Sequence, residues 1–289
     1  MKYVLSALKA VRPSLFLAPP IFYETAWKLA HSNFSASEHT SNADATQFST
    51  RLAAYFGGNM RIMWSGMAPI APKILEGYQE AKVPLFEAYG MTEYGPITAN
   101  LPSKNTIGSV GRPLIDGSVQ IAMDGEIIVR SNLPLTTGYL DESMDDEKTV
   151  YLNEHAIATG DLGYFDDAGY LFIQGRKKEL LVTSSGYKIH PQLVENEFHS
   201  LPFVTHAVLM GNDQPYLGLL LMLDNVEEGM EELIVEKITK LNTNICKSFP
   251  IKKWHVQIGK FTPENKLLTR NLKLNRGNIL AEYEKHVFT

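Results

Sequence analysis

The sequence predicts an α/β fold: a partial α/β sheet layer with a small β-barrel-like unit, followed by a small α+β C-terminal domain. Three observations predict it. Up to about residue 100, short apolar runs alternate with stretches of helical spacing. From about Gly108, short strand-like runs are separated by Gly, Pro and Asp turns. After Arg176 the helical stripes return, interleaved with two longer apolar runs. The boundary between the two parts is expected at residues 176–178, giving a first domain of residues 1–176 and a second of residues 177–289. A length of 289 residues suits two domains.

In chain order, Tyr3, Val4, Ala7, Leu8 and Val11 recur at helical spacing, and Pro13 ends that helix. Leu15–Ala18 is a short buried strand. Residues 31–50, rich in Ser, Asn, Thr and Asp, are expected to form a loop or a helix-capping region. Arg61–Trp64 is a second buried strand, Ile74–Glu80 a helix, and Val83–Glu87 extended. Val119–Ile121, Glu126–Val129 and Tyr170–Ile173 form the antiparallel β unit, with turns at Asp124-Gly125 and Asp166–Gly169. In the second part, Pro191 starts a helix whose stripe is Val194, Phe198 and Leu201. Val204–Met210 and Leu217–Leu223 are strands. Met230, Leu233, Ile234, Ile238, Leu241 and Ile245 make a core-facing helical stripe, and Ile279, Leu280, Tyr283 and Val287 a last helix.

Composition narrows the function classes. Lys and Arg number 27 against 32 Asp and Glu, a formal charge of −5, which disfavours a broad nucleic-acid-binding face. The single cysteine, Cys246, makes neither an internal disulfide nor a cysteine-based zinc site. That fits a reducing, cytoplasmic setting. No apolar stretch reaches the ~20 residues of a spanning helix, and the first residues lack the pattern of a signal peptide. Any membrane contact is expected to be peripheral at most. The eight histidines show no zinc-binding spacing, and neither a nucleophile elbow nor a GxxxxGK[ST] phosphate loop occurs.

Four segments place small, hydroxyl and charged residues where a buried core would not. Gly66, Met67, Ala68 and Pro69 follow a strand, in a turn whose main chain a flat ring could lie against. Taken alone, this reads as an ordinary turn. Tyr89, Gly90, Met91, Thr92 and Glu93 offer an aromatic for stacking, a hydroxyl for phosphate and a carboxylate for a hard cation such as Mg²⁺. The alternative is a strand-to-loop turn with a surface glutamate. Thr159-Gly160-Asp161 presents a carboxylate suited to two ribose hydroxyls. It is followed by Arg176–Glu179, where Arg176 offers a fork for an anion, or a solvated charge run. Finally, Leu268–Arg276 holds Lys273, a cation that could meet a reacting anion or simply sit in water.

In this order and spacing the four segments resemble the adenylate-forming, AMP-binding superfamily. SGMAP is similar to the family's adenine-facing loop, YGMTE to its adenine and Mg²⁺-ATP motif, and TGDLGYFDDAGYLFIQGRKKELLVTSSGYKI to the long run across its domain hinge. The tail FTPENKLLTRNLKLNR, with RPSLFLAPPIFYE near the start, looks most like the long-chain fatty acyl-CoA synthetase branch. The resemblance covers nearly the whole chain. It implies that ATP and a carboxylic acid, with a fatty acid favoured, form acyl-AMP, and that coenzyme A then captures the acyl group after the small domain rotates. It further implies that Tyr89 stacks on adenine beside Gly66–Pro69, that Thr92 touches phosphate, that Glu93 holds Mg²⁺ and that Asp161 binds ribose. Arg176 would contact ribose or phosphate, Lys178 would stand at the hinge, Gly186 would face the pantetheine channel, and Lys273 would steady the carboxylate during adenylation.

The sequence also departs from the family. Relatives run to about twice this length and carry a Ser/Thr/Gly-rich phosphate loop ending in Pro-Lys. No such loop occurs here, so the chain is expected to begin after it, with a separate chain supplying the rest or with that part lost. Pro19-Pro20 stands where relatives tend to show Pro-Arg, and Ala158 where they often carry Trp or Tyr. On that basis the isolated chain is expected to be weakly active or inactive. Two other readings remain: a non-catalytic nucleotide-binding or regulatory module, and an acyl-AMP ligase feeding an acyl carrier protein.

Overall fold

The structure is a computed structural model that describes residues 2–31, 42–135, 151–198, 201, 203–226, 228–269 and 273–289. By internal contacts the chain divides into two units, Met1–Ile173 and Gln174–Thr289.

The first unit begins with α1 (Lys2–Val11), β1 (Leu15–Ala18), α2 (Pro20–His31), α3 (Asn42–Tyr55), β2 (Ile62–Ser65), α4 (Pro72–Glu80), β3 (Leu85–Met91), β4 (Gly95–Ala99) and β5 (Arg112–Pro113). These strands form one sheet in chain order, parallel from β1 through β3 and antiparallel from β3 through β5. Strand periodicity divides its side chains. Phe16, Ala18, Met63 and Leu85 face a core built with Leu5, Leu8, Tyr23, Ala26, Leu52, Phe56, Leu75 and Tyr78 from the helices. Leu15 and Leu17 lie on the other face, 54% and 52% exposed.

Two buried tyrosines tie these layers without leaving a polar atom unsatisfied. Tyr23 Oη donates to the carbonyl of Trp64 at 2.8 Å, and Tyr78 Oη donates to the carbonyl of Tyr23 at 2.8 Å. The stretch expected as a loop is corrected from residue 42 onward, where α3 forms. Leu52 in its last turn and Phe56 just past its end are four residues apart, fully buried, and lie beyond the polar run. Tertiary burial of that stripe outweighs the weak propensity of Asn, Asp, Thr and Ser. Residues 32–41 fall outside the described residues.

The β unit follows: β6 (Val119–Ile121), β7 (Glu126–Arg130), β8 (Tyr151–Asn153), β9 (Ala156–Phe165) and β10 (Leu171–Arg176), whose last three residues begin the second unit. The sheet runs β10-β9-β7-β6, with β8 also pairing β9. Among the described residues it is open, with no closed barrel, because β6 and β10 are opposite edges. Ile127, Val129 and Leu171, all fully buried, pack with Ile97 and Val119 as its core.

After the end of β10, the second unit continues with a 3-10 turn, Lys177–Glu179, and a two-stranded ribbon of β11 (Leu181–Val182) and β12 (Lys188–Ile189). Then come α5 (Pro191–Phe198), β13 (Val204–Met210), β14 (Leu217–Leu223), α6 (Met230–Asn244), β15 (Ile251–Ile258) and α7 (Arg276–Phe288). The sheet order is β13-β14-β15, antiparallel then parallel, with α6 as the crossover. Every residue of β14 is buried. Leu217, Leu219, Leu221 and Leu223 face a core with α5 and α6, whereas Leu220 and Met222 face a second core with α7. Gly218 shares the α7 face, where an added Cβ would lie 2.4 Å from Val287 Cγ1.

Candidate functional site

In the first unit the three parallel strands end together, since Ala18 is in register with Ser65 and Ser65 with Glu87. Whatever follows these strands therefore emerges at one carboxyl edge, the place where open α/β sheets bind ligands. Gly66 continues β2 with its N–H on the carbonyl of Ala18 at 3.2 Å, and is itself buried. The chain then turns through Met67, a left-handed residue at φ 72 whose side chain is exposed, to the exposed Ala68 and Pro69.

Strand β3 leaves the same edge and carries Tyr89, Gly90 and Met91 into a turn at Thr92–Tyr94, before β4 returns. That hairpin requires the glycine. A Cβ on Gly90 would sit 2.5 Å from the carbonyl oxygen of Gly95, which is backbone and cannot yield. Tyr89 and Met91 are half-buried against the core of the β unit. Thr92 is exposed and Glu93 half-buried.

Asp161 reaches Tyr89 because β9 is bulged. Ala158 and Leu162 on β9 pair with Ile128 and Glu126 on β7, so Thr159, Gly160 and Asp161 all oppose Ile127. Gly160 adopts φ 71 to allow it. The bulge is held by its own polar groups: Thr159 Oγ1 donates to the carbonyl of Ile127 at 2.9 Å and accepts from the Asp161 N–H at 3.1 Å. Glu126 Oε1 accepts from the Gly160 N–H at 3.0 Å. The result is a buried carboxylate whose Oδ2 accepts from Tyr89 Oη at 2.6 Å, joining residues 72 apart in sequence.

A buried acid outside the expected site residues adjoins this arrangement. Glu87, two residues before Tyr89 on the same strand face, is only 9% exposed. Burial pushes its carboxyl up to about 8, opposed in part by the N–H of Ile70, which donates to it. Ser65, its register partner, has a buried Oγ with no hydrogen-bond partner. The signal was present in the alternation Leu85, Glu87, Tyr89, a carboxylate on the inward face of an apolar strand.

In the second unit the expected residues sit on separate turns. Arg176 ends β10 and Lys178 lies in the 3-10 turn, both exposed. Gly186, at φ 78, closes the turn between β11 and β12, where its N–H donates to the carbonyl of Thr183 at 2.8 Å. Lys273 is exposed, but its main chain is held: its N–H donates to Thr269 Oγ1 at 3.1 Å, and its carbonyl accepts from the Thr269 N–H at 2.7 Å. Residues 270–272 of that segment fall outside the described residues. Three residues on, Arg276 forms a fork with Glu195, at 2.9 and 2.6 Å, and a third bond to Glu179 at 3.1 Å. Burial works against its charge, but the two carboxylates outweigh it and hold the guanidinium protonated above its ordinary range. Sequence reading missed this cluster because its members stand 81 and 97 residues apart.

Among the described residues, no group of three or more His, Cys, Asp or Glu side chains is placed to hold a metal ion. Mg²⁺ commonly takes one or two carboxylates together with phosphate oxygens and water. Glu93 is a single half-buried carboxylate in the turn after β3. No described helix is long and apolar enough to cross a membrane.

Comparison with known proteins places these features in a family. Residues 1–140 match the AMP-binding enzyme family, and residues 178–288 match the AMP-binding enzyme C-terminal domain. The chain is 29% identical to the long-chain-fatty-acid–CoA ligase FadD15 of Mycobacterium bovis over 255 residues, covering 80% of this chain and 42% of that protein. It is 31% identical to the 2-succinylbenzoate–CoA ligase of Listeria innocua over 205 residues, covering 68% of this chain and 43% of that protein. The chain thus spans less than half the length of these two relatives. Among solved structures, it resembles the anthranilate CoA ligase AuaEII in complex with anthranoyl-AMP, with TM-score 0.72 and 19% identity over 97% of this chain and 52% of that one. It also resembles the o-succinylbenzoate CoA synthetase of Bacillus subtilis in complex with OSB-AMP, with TM-score 0.69 and 23% identity over 96% and 53%. The α/β fold is that of these adenylate-forming enzymes, and with both family domains matched along its length, the chain belongs to the AMP-binding enzyme family of adenylate-forming acid ligases.

Proposed function

We propose that this chain supplies the adenine and ribose site and the C-terminal domain of an ATP-dependent carboxylic acid:coenzyme A ligase acting through acyl-AMP, with a fatty acid as the favoured substrate. The observation that carries the reading is the 2.6 Å hydrogen bond between Tyr89 and Asp161. It fixes an aromatic ring beside a buried carboxylate at the carboxyl edge of a parallel sheet, the pairing of groups that a purine nucleoside needs. The match to long-chain-fatty-acid–CoA ligase FadD15 supports the fatty acid and coenzyme A.

In this reading each residue has a physical task. Asp161 accepts the ribose hydroxyls, and Tyr89 lends its ring to the base while its hydroxyl keeps the carboxylate oriented. Thr92 donates to phosphate, and Glu93 meets the cation that accompanies ATP. When bound, that Mg²⁺ would neutralise charge on the phosphates. Arg176 contacts ribose or phosphate, Lys178 stands at the hinge, and Gly186, with no side chain, lets pantetheine pass. Lys273 offsets negative charge as the carboxylate approaches the α-phosphate, a step in which fixed cations lower the barrier.

Nucleotide binding tests the reading directly. The 289-residue chain should bind ATP, and Asp161→Ala should weaken binding roughly ten- to a hundredfold, the loss expected for hydrogen bonds to a charged acceptor. Calorimetric titration giving equal affinity for the two proteins would remove Asp161 from the site and the reading with it. Acid-dependent ATP–pyrophosphate exchange, run across carboxylic acids of different chain length with whatever completes the active enzyme, then assigns the substrate.

A further inference from the structure

Arg276 is only 17% exposed, and it is bound to two carboxylates rather than one. Glu195, 6% exposed at its side chain, is also held by the main chain, since its Oε1 accepts from the Leu209 N–H of β13 at 2.8 Å. A buried ion network of this kind is weak evidence for stability, because apolar side chains of similar volume serve as well. What it does supply is geometry: a guanidinium fork fits its carboxylates in one plane only.

That geometry links two segments remote in sequence. On one side is the 3-10 turn Lys177–Glu179, through Glu179. On the other is the loop bearing Lys273. Between Lys273 and Arg276 the chain has no loose link. Leu274 bridges Leu268 within the α7 core, the Asn275 N–H donates to the carbonyl of Leu267 at 2.9 Å, and Asn275 Oδ1 caps α7 by accepting from the Asn278 N–H at 3.4 Å. We propose that Glu179, Arg276 and Glu195 form a positioning clamp that locks the Lys273 loop to the 177–179 turn, so that the lysine moves with that turn as one rigid piece. The clamp rests on the reading of Lys273 for its role in catalysis, but not for its existence.

Glu179 is the place to break it, because it is one-third exposed and its replacement leaves the Arg276–Glu195 fork intact. In Glu179→Leu, amide hydrogen exchange followed by NMR should speed up roughly tenfold at Thr269 and Lys273, while Leu219 and Leu221 in β14 keep their rates. Glu179→Gln retains an acceptor oxygen for Arg276 Nε and should restore slow exchange. A purely stabilising role would instead move loop and core amides together. In ATP–pyrophosphate exchange, run with whatever completes the active enzyme, Glu179→Leu should lower the rate at saturation roughly ten- to a hundredfold, the scale of a small misplacement, with the KM for ATP unchanged. Unaltered exchange at Thr269 and Lys273 overturns the clamp, whatever the activity does. Faster loop exchange, together with a Lys273→Ala variant that leaves adenylation untouched, upholds the clamp and overturns the role given to Lys273.

Discussion

Glu87→Gln should abolish a pH dependence of stability that belongs to one buried carboxyl. The folded chain holds this group at about 8, against an ordinary value of 4.5, mainly through burial. Between those values the folded chain keeps a proton that the unfolded chain has released. Stability is therefore greatest at the acid end of the window and falls as pH rises toward 8. Each pH unit is worth about 1.4 kcal/mol, so the interval from 4.5 to about 8 amounts to about 5 kcal/mol at most. Glutamine keeps the shape and the acceptor for the Ile70 N–H but does not titrate. Urea unfolding of the first unit, read from Trp27 and Trp64 in a Trp254→Phe background, should show the two proteins equally stable near pH 4.5. By pH 8 the glutamine variant should be ahead by several kcal/mol. Curves that stay parallel across the window would refute the account of Glu87 as a proton-bearing buried acid.

Two further outcomes are expected. Gly90→Ala should destabilise the β3–β4 hairpin by roughly 2 kcal/mol or more, because the new methyl meets backbone rather than a side chain that can turn away; a thermal melt within a degree of the parent would contradict this. Lys273→Ala, assayed with whatever completes the active enzyme, should slow adenylate formation far more than thioester formation from supplied acyl-AMP. Equal effects on the two half-reactions would undo its assignment.

The sheet-and-helix alternation, the antiparallel β unit and most of the core stripe of α6 were legible because apolar period reports the buried face; Leu233, expected in that stripe, is instead 46% exposed. Other elements were hidden for identifiable reasons. The apolar residues of β15 read Ile251, Trp254, Val256 and Ile258, and the expected alternation breaks because the pairing with β14 is bulged at Lys252. The buried anchors of α3, Leu52 and Phe56, stand at and just past its end, while its beginning is polar. At the site, Tyr89 and Asp161 were visible as separate motifs; the bulge that joins them was not, since it depends on how β9 meets β7. The Arg276 cluster left no local trace, as each member reads as a charged surface residue until the fold brings the three together.

The central strand of the second unit poses a problem of alignment. Leu-Gly-Leu-Leu-Leu-Met-Leu has almost no contrast between its two sides, so polarity does little to stop it sliding by one position against its neighbours. The missing side chain at Gly218 does. Val287 and Phe288 press where that residue stands, and a one-step slip would drive a leucine into them. In a strand greasy on both faces, the frame is thus set by a notch rather than by a pattern, and the closing helix of the chain is the key that fits it.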